Sequence, residues 1–197
     1  MPTFTANWFP APIFKEFFRH FKGKEGLKFL EIGLLEGQGT RYFFEQFLGQ
    51  TGSLVGVDPF IEYSKATVAK IEGFDKVINE SLEERFLVNT KEFADRITLH
   101  KGLSQDVLPK LEADTFDMAF VDGDHSRDAV SVDARECFRL VKNGGYIVFD
   151  DYGWGYKDRP ETSPKDAIDA FLHAHIDELS VVHKAWCVIV RVMKTKG

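Results

Sequence analysis

Short apolar runs rich in Val, Ile, Leu and Phe alternate along this chain with amphipathic stretches of helical period. That alternation is the pattern of a parallel β-sheet covered by helices on both faces. The strand candidates are Leu27 to Ile32, Ser53 to Asp58, Ile97 to His100, Phe116 to Val121 and Gly145 to Asp150, each bounded by Gly, Asp or a charge. The clearest helix is Asp128 to Lys142, where Val130, Ala134, Cys137, Phe138 and Val141 fall on one face and Gly144 follows as a stop. Ser163-Pro164-Lys165-Asp166 opens a second helix, with Ile168, Phe171 and His175 as its buried stripe. Ser81 to Phe93 is a third, begun by the capping box of Ser81 and Glu84. Near the end, Leu179 to His183 and Trp186 to Val192 are two β-rich runs separated only by Lys184 and Ala185, which predicts a hairpin. At the start, Phe14, Phe17, Phe18 and Phe21 form an aromatic stripe at helical spacing within a helical segment over 1–26. Its simplest reading is a helix packed on the domain, its sharper one a lid over a substrate.

Length and composition narrow the class. A chain of 197 residues suits one domain, since domains commonly run to about 100–200 residues. Hydrophobic residues at 44% and charged residues at 28% are those of a globular protein, and the 19 phenylalanines, spread along the chain, supply a core. A net charge of −6 without a basic block gives no footprint for a nucleic-acid partner. Met1 to Pro12 has no signal-peptide pattern, and the apolar stretch Ala185 to Val190 is too short to span a bilayer, so no membrane association and a cytoplasmic location are expected. The two cysteines, Cys137 and Cys187, lack metal-ligand spacing and read as buried thiols.

The chemistry gathers at the predicted strand ends. Phe29-Leu30-Glu31-Ile32-Gly33-Leu34-Leu35-Glu36-Gly37 puts an acid at the end of a strand, then glycines where the chain turns into a helix and its backbone can approach a ligand. Gly37-Gln38-Gly39-Thr40-Arg41-Tyr42 breaks the G-x-G-x-x-G dinucleotide fingerprint, which argues against a dehydrogenase. Asp58 closes the second strand, where an acid can accept from both ribose hydroxyls of a nucleoside. Gly102-Leu103-Ser104-Gln105-Asp106 follows the third. Asp122-Gly123-Asp124-His125 closes the fourth and Asp150-Asp151 the fifth, so neighbouring parallel strands bring several carboxylates to one sheet edge. Acids so placed repel unless a cation sits among them. Hard oxygen donors suit Mg²⁺, with Mn²⁺ or Ca²⁺ as alternatives. His173 and His175 face different directions and make a poor metal pair, and His20, His100 and His183 have no evident partners.

The acidic-x-Gly-x-x-x-Gly spacing resembles motif I of class I S-adenosylmethionine-dependent methyltransferases, and Ile97 to Trp154 resembles catechol O-methyltransferase and its relatives. Asp-Gly-Asp-His, a charged helix, Gly-Gly and Phe-Asp-Asp-Tyr are more similar still to the family that includes macrolide-sugar O-methyltransferases, over roughly Phe29 to Ala170. The resemblance implies an α/β fold, a Rossmann-like seven-stranded sheet, mostly parallel, with a C-terminal antiparallel hairpin. It implies S-adenosylmethionine bound by Glu31, Gly33, Gly37, Asp58, Ser104, Gln105 and Asp122, with Ser104 and Gln105 at the adenine. It implies a metal held by Asp122, Asp150 and Asp151, the last standing where the catechol enzymes carry Asn. It makes His125 the general base, in the place of a lysine. One departure is Gly39, where these families have Ser or Thr, which predicts a looser loop.

The expected function is metal-assisted methyl transfer to the hydroxyl of a small molecule, with a sugar ahead of a catechol-like phenol. The alternatives are a metal-independent N- or S-methyltransferase, in which the acids only cap helices, and a non-catalytic cofactor-binding scaffold. The sequence leaves the oligomeric state open, and a homodimer is compatible with it.

Overall fold

The computed structural model describes residues 2–4, 7–61, 81–155 and 163–194. The apolar runs become β1 (Lys28–Ile32), β2 (Ser53–Asp58), β3 (Ile97–Lys101), β4 (Phe116–Val121) and β5 (Val141–Phe149), and the C-terminal pair becomes β6 (Leu179–Lys184) and β7 (Val188–Val192). They form one seven-stranded sheet in the order β3-β2-β1-β4-β5-β7-β6, parallel from β3 to β5 and antiparallel at β7 and β6. This is the architecture the resemblance implied.

Six described α-helices accompany the sheet: α1 (Ala11–Phe17), α2 (Gln38–Phe43), α3 (Leu82–Thr90), α4 (Ser104–Val107), α5 (Arg127–Leu140) and α6 (Pro164–Ala174). Side chains alternate along each strand, so the sheet buries two different faces. Leu30, Ile32, Ala119, Val121, Ile147 and Phe149 pack against α5 and α6. Phe29, Met118, Phe120 and Val148 pack against Phe14, Phe18, Phe21, Phe43 and Phe47. The second face is where the phenylalanines collect: Phe14 meets Phe43 and Phe120 edge-on, and Phe18 meets Tyr146 likewise. Phe14 and Phe18 are fully buried, each contributing about 1.5–3 kcal/mol. Phe14, Phe18 and Phe21 of the stripe are therefore core. Phe17, the remaining member, is half-buried against His183.

Helix starts follow the sequence signals. Ser81 accepts from the Glu84 N–H and Ser126 from the Ala129 N–H, each satisfying a free donor of a first turn. Ser163 stands at the N-cap of α6 without a side-chain cap bond.

Two boundaries differ from the sequence reading. The helix expected over Asp128 to Lys142 ends at Leu140, and Val141 already pairs with Phe116 as the first residue of β5. Gly144 is therefore no helix stop. With φ of 85° it lies in a bulge within β5, where the register jumps between Phe116 and Met118. Helix and strand follow each other without a loop, so the apolar periodicity runs straight through the junction. In the hairpin, Ala185 to Cys187 form the connection, which places Trp186 at the turn, outside β7.

Candidate active site

The sheet ladder continues past the strand ends and fixes the loops that carry the chemistry. Gly102 N–H donates to the Asp58 carbonyl, Gly33 N–H to Val57, Asp122 N–H to Ile32 and Asp150 N–H to Val121, at 2.9–3.1 Å. Four loops are thus held in register along one carboxyl edge. The glycine loop and the first acid touch through backbone: a Cβ on Gly33, whose φ is 84°, would collide with the Asp122 carbonyl and lie 2.8 Å from the Gly123 Cα. No side chain fits there. Gly37 caps α2 at its N terminus.

The first half of the edge is closed by its own hydrogen bonds. Asp58 Oδ2 accepts from Leu34 N–H at 2.7 Å and Leu35 N–H at 3.2 Å, and Oδ1 accepts from Phe60 N–H at 2.6 Å. Leu35 and Phe60 adopt left-handed φ values of 46° and 48° to present those amides. A carboxylate offers about four lone-pair sites, so Asp58 has capacity for one further donor and not for both hydroxyls of a ribose. Behind the loop, Glu31 is 1% exposed and accepts from the Thr40 hydroxyl at 2.6 Å. Burial, with the Asp58 charge nearby, raises its carboxyl to about 8 against the pull of Thr40. Gly39 explains itself here: a Cβ would run into the Glu31 carboxylate and approach Phe9 to 3.1 Å. The position is tightly packed, which corrects the expectation of a looser loop. Ser104 is half-buried at the start of α4, and Gln105 beside it is exposed.

The second half holds the acids. Oxygens of Asp122 and Asp151 and a ring nitrogen of His125 all lie within 4.8 Å of one another, a group able to hold a metal ion. His125 Nε2 is 3.3 Å from Asp151 Oδ2. Burial, then Asp150, Asp151 and Glu31, raise the Asp122 carboxyl well above the usual range, so a cation would relieve an existing electrostatic conflict. Asp151 has φ of 53°, and this left-handed turn directs Oδ1 to the Trp186 indole N–H at 2.8 Å while Oδ2 faces His125. Asp150 is not brought into the same group. Its Oδ1 accepts from the Cys187 thiol and the Asp151 N–H, both at 2.8 Å. Burial also raises Asp150 and the Cys187 thiol facing it. The cluster among the described residues is thus Asp122, His125 and Asp151, where the sequence reading had Asp122, Asp150 and Asp151 as ligands and His125 as base.

Three neighbours escaped that reading. Cys187 and Trp186 arrive from the hairpin, 35 or more positions away, and the ring of Trp154 lies 4.9 Å from that of His125. A groove of about 420 Å³ lined by Asn143, Gly144, Arg191 and Lys194 lies instead around the start of β5 and contains none of these residues.

Sheet order, glycine loop and acids at the strand ends together define a class I, S-adenosylmethionine-dependent methyltransferase domain. A family described as a methyltransferase domain matches residues 30–152, and the chain belongs to that family. An uncharacterized protein of Acanthamoeba polyphaga mimivirus is 28% identical over 148 residues, 72% of this chain. The chain spans 58% of that relative's length. Among solved structures, the O-methyltransferase TomG from Streptomyces achromogenes, involved in tomaymycin synthesis and bound to S-adenosylmethionine, superposes with a TM-score of 0.68. It is 18% identical, over 96% of this chain and 82% of its own. An O-methyltransferase from Bacillus cereus in complex with S-adenosylhomocysteine gives a TM-score of 0.60 at 20% identity, over 96% and 82%. These likenesses establish the fold. No helix among the described residues is long and apolar enough to cross a membrane.

Proposed function

We propose that the chain methylates a hydroxyl group of a small molecule, using S-adenosylmethionine and a divalent cation. The observation that carries this reading is the direct contact between the glycine loop and the acid cluster: the Gly33 backbone abuts Asp122, itself a member of the Asp122, His125 and Asp151 group. Methyl donor and acceptor sites would then share one backbone junction.

Gly33 and Gly37 give the cofactor close access to the backbone, Asp58 takes one ribose hydroxyl, and Ser104 and Gln105 edge the adenine. S-Adenosylmethionine supplies a methyl group on a sulfonium, which an oxygen nucleophile can take with departure of a neutral thioether. Asp122 and Asp151 supply carboxylates for Mg²⁺ or Mn²⁺, and such a cation supplies positive charge that lowers the pKa of a nearby hydroxyl. Asp150 supports that arrangement from Cys187 and the Asp151 N–H, a change from the ligand role the resemblance implied. His125 receives the hydroxyl proton on its imidazole ring, whose Nε2 stands 3.3 Å from Asp151 Oδ2. The carboxylate stabilises the resulting imidazolium. Trp154 and Trp186 wall the site, and a ring bearing hydroxyls, a sugar ahead of a phenol, suits that mix of indole faces and carboxylates.

A second reading is favoured by the same distances: His125 as a metal ligand, with Asp122 and Asp151. One nitrogen cannot bind a cation and accept a proton at once. The test of the main reading is methyl transfer from labelled cofactor to nucleotide-sugars, glycans and catechols, with Mg²⁺ and with EDTA. Cation-dependent product on a hydroxyl is expected. Turnover indifferent to EDTA would restore the metal-independent alternative, and cofactor binding without any turnover would restore the scaffold.

A further inference from the structure

Antiparallel pairing of β5 with β7 sets Phe149 opposite Val188. One step further along the same two chains stand Asp150 and Cys187, and one step beyond them Asp151 and Trp186. The side chains meet in that order: the Cys187 thiol donates to Asp150 Oδ1 and the Trp186 indole N–H to Asp151 Oδ1, each at 2.8 Å. The Tyr152 N–H donates to the Trp186 carbonyl at 2.8 Å and so keeps the two chains in step past the end of the ladder. Consecutive residues of paired strands turn to opposite faces, and facing residues of the two chains meet. Two adjacent acids are thus delivered to different partners.

Asp150 is 7% exposed, and its Oδ1 takes the thiol proton and the Asp151 N–H together. The second of these bonds folds the Asp150 side chain back on the next peptide. That peptide leads into the left-handed turn at Asp151, a conformation that a residue other than glycine keeps where its surroundings impose it. Cys187, itself 1% exposed, brings to the same oxygen a donor from another strand. We propose that Cys187 is a positioning residue for the cation: its thiol locks Asp150 as the prop of the Asp151 turn, so that Asp151, and not Asp150, presents an oxygen to the group formed with Asp122 and His125. This rests on the reading that a divalent cation occupies that group. Cys187 acts through Asp150 and is no ligand itself. Without the thiol, the Asp150 carboxylate is free to turn away from the Asp151 N–H, and the cation loses a preset partner.

The experiment is titration of Mn²⁺ into the full chain, followed by electron paramagnetic resonance of the free ion, for the wild type, Cys187→Ala and Cys187→Ser. Affinity for S-adenosylhomocysteine is measured by calorimetry on the same preparations. Alanine removes the donor, and serine keeps one in the same place. Cys187→Ala should weaken Mn²⁺ by about ten-fold or more, the usual effect of losing a partner behind a metal ligand. Cys187→Ser should recover the wild-type affinity to within about three-fold. Affinity for S-adenosylhomocysteine should be the same in all three. Where Cys187→Ala loses that ligand as well, the fold is damaged, and Cys187→Val, nearer in volume and equally without a donor, replaces it. A donorless variant that binds Mn²⁺ as tightly as the wild type, or more tightly, overturns the proposal, the tighter case making Asp150 a ligand that the thiol restrains. Cys187→Ser as weak as the donorless variant overturns it too, because the loss then comes from packing. A wild type that binds no Mn²⁺ removes the cation reading, and this proposal with it.

Discussion

The two halves of the carboxyl edge treat their acids in opposite ways. Around β1 and β2, Asp58 accepts from three backbone amides and Glu31 is paired with Thr40, so the loop is organised by bonds internal to the chain. Around β4 and β5, Asp122 is pressed by Asp150 and Asp151, and Asp151 faces His125 and an indole N–H among the described residues. On the proposed reading, the first half is the one that would take the nucleoside of the cofactor. The second stores electrostatic repulsion that a cation would relieve, and left-handed residues occur in both, at Leu35 and Phe60 and again at Asp151.

This contrast predicts that rate and cofactor affinity respond to different residues. The largest effect is expected for His125→Ala, a fall of about a hundred- to ten-thousand-fold in maximal rate with unchanged affinity for S-adenosylhomocysteine. Loss of Mg²⁺ affinity in the same variant would instead make His125 a ligand. Asp58→Ala should do the reverse, weakening the cofactor by about ten- to a hundred-fold in calorimetry while leaving the cation requirement intact. An Asp58→Ala protein with normal cofactor affinity would remove Asp58 from the ribose. The smallest effect is structural: Gly39→Ser should lower stability by about 1–3 kcal/mol in denaturant unfolding, because Glu31 and Phe9 occupy the space. A neutral result there would mean that the loop yields.

Much of the first half was legible in the sequence, because its signals are local. Glu31 near the end of one strand is followed by Gly33 and Gly37 within seven positions, Asp58 ends the next, and Ser81 with Glu84 announces α3. The second half was legible only as a set of acids. Which of them converge depends on the left-handed turn at Asp151 and on Cys187 and Trp186, which reach the site from a hairpin distant in sequence. The Gly39 departure could not be understood until Glu31 was seen to fill the volume of the absent side chain. Val141 and Gly144 misled for the opposite reason, since an apolar residue at helical spacing followed by glycine describes a helix end and a strand bulge equally well.

The central claim is a cation site at the second half that is separable from the cofactor site at the first. Its most direct test is titration of Mn²⁺ or Mg²⁺ into the protein and into Asp151→Asn, each with S-adenosylhomocysteine affinity measured alongside. One bound cation is expected in the wild type. Because the Asp122 carboxyl is held above its ordinary range and must lose its proton to ligate, cation affinity should rise with pH. Asp151→Asn should lose the cation and keep the cofactor. A wild type that binds no divalent cation at any pH from 6 to 9, or an Asp151→Asn variant that binds it as tightly as the wild type, would contradict the account.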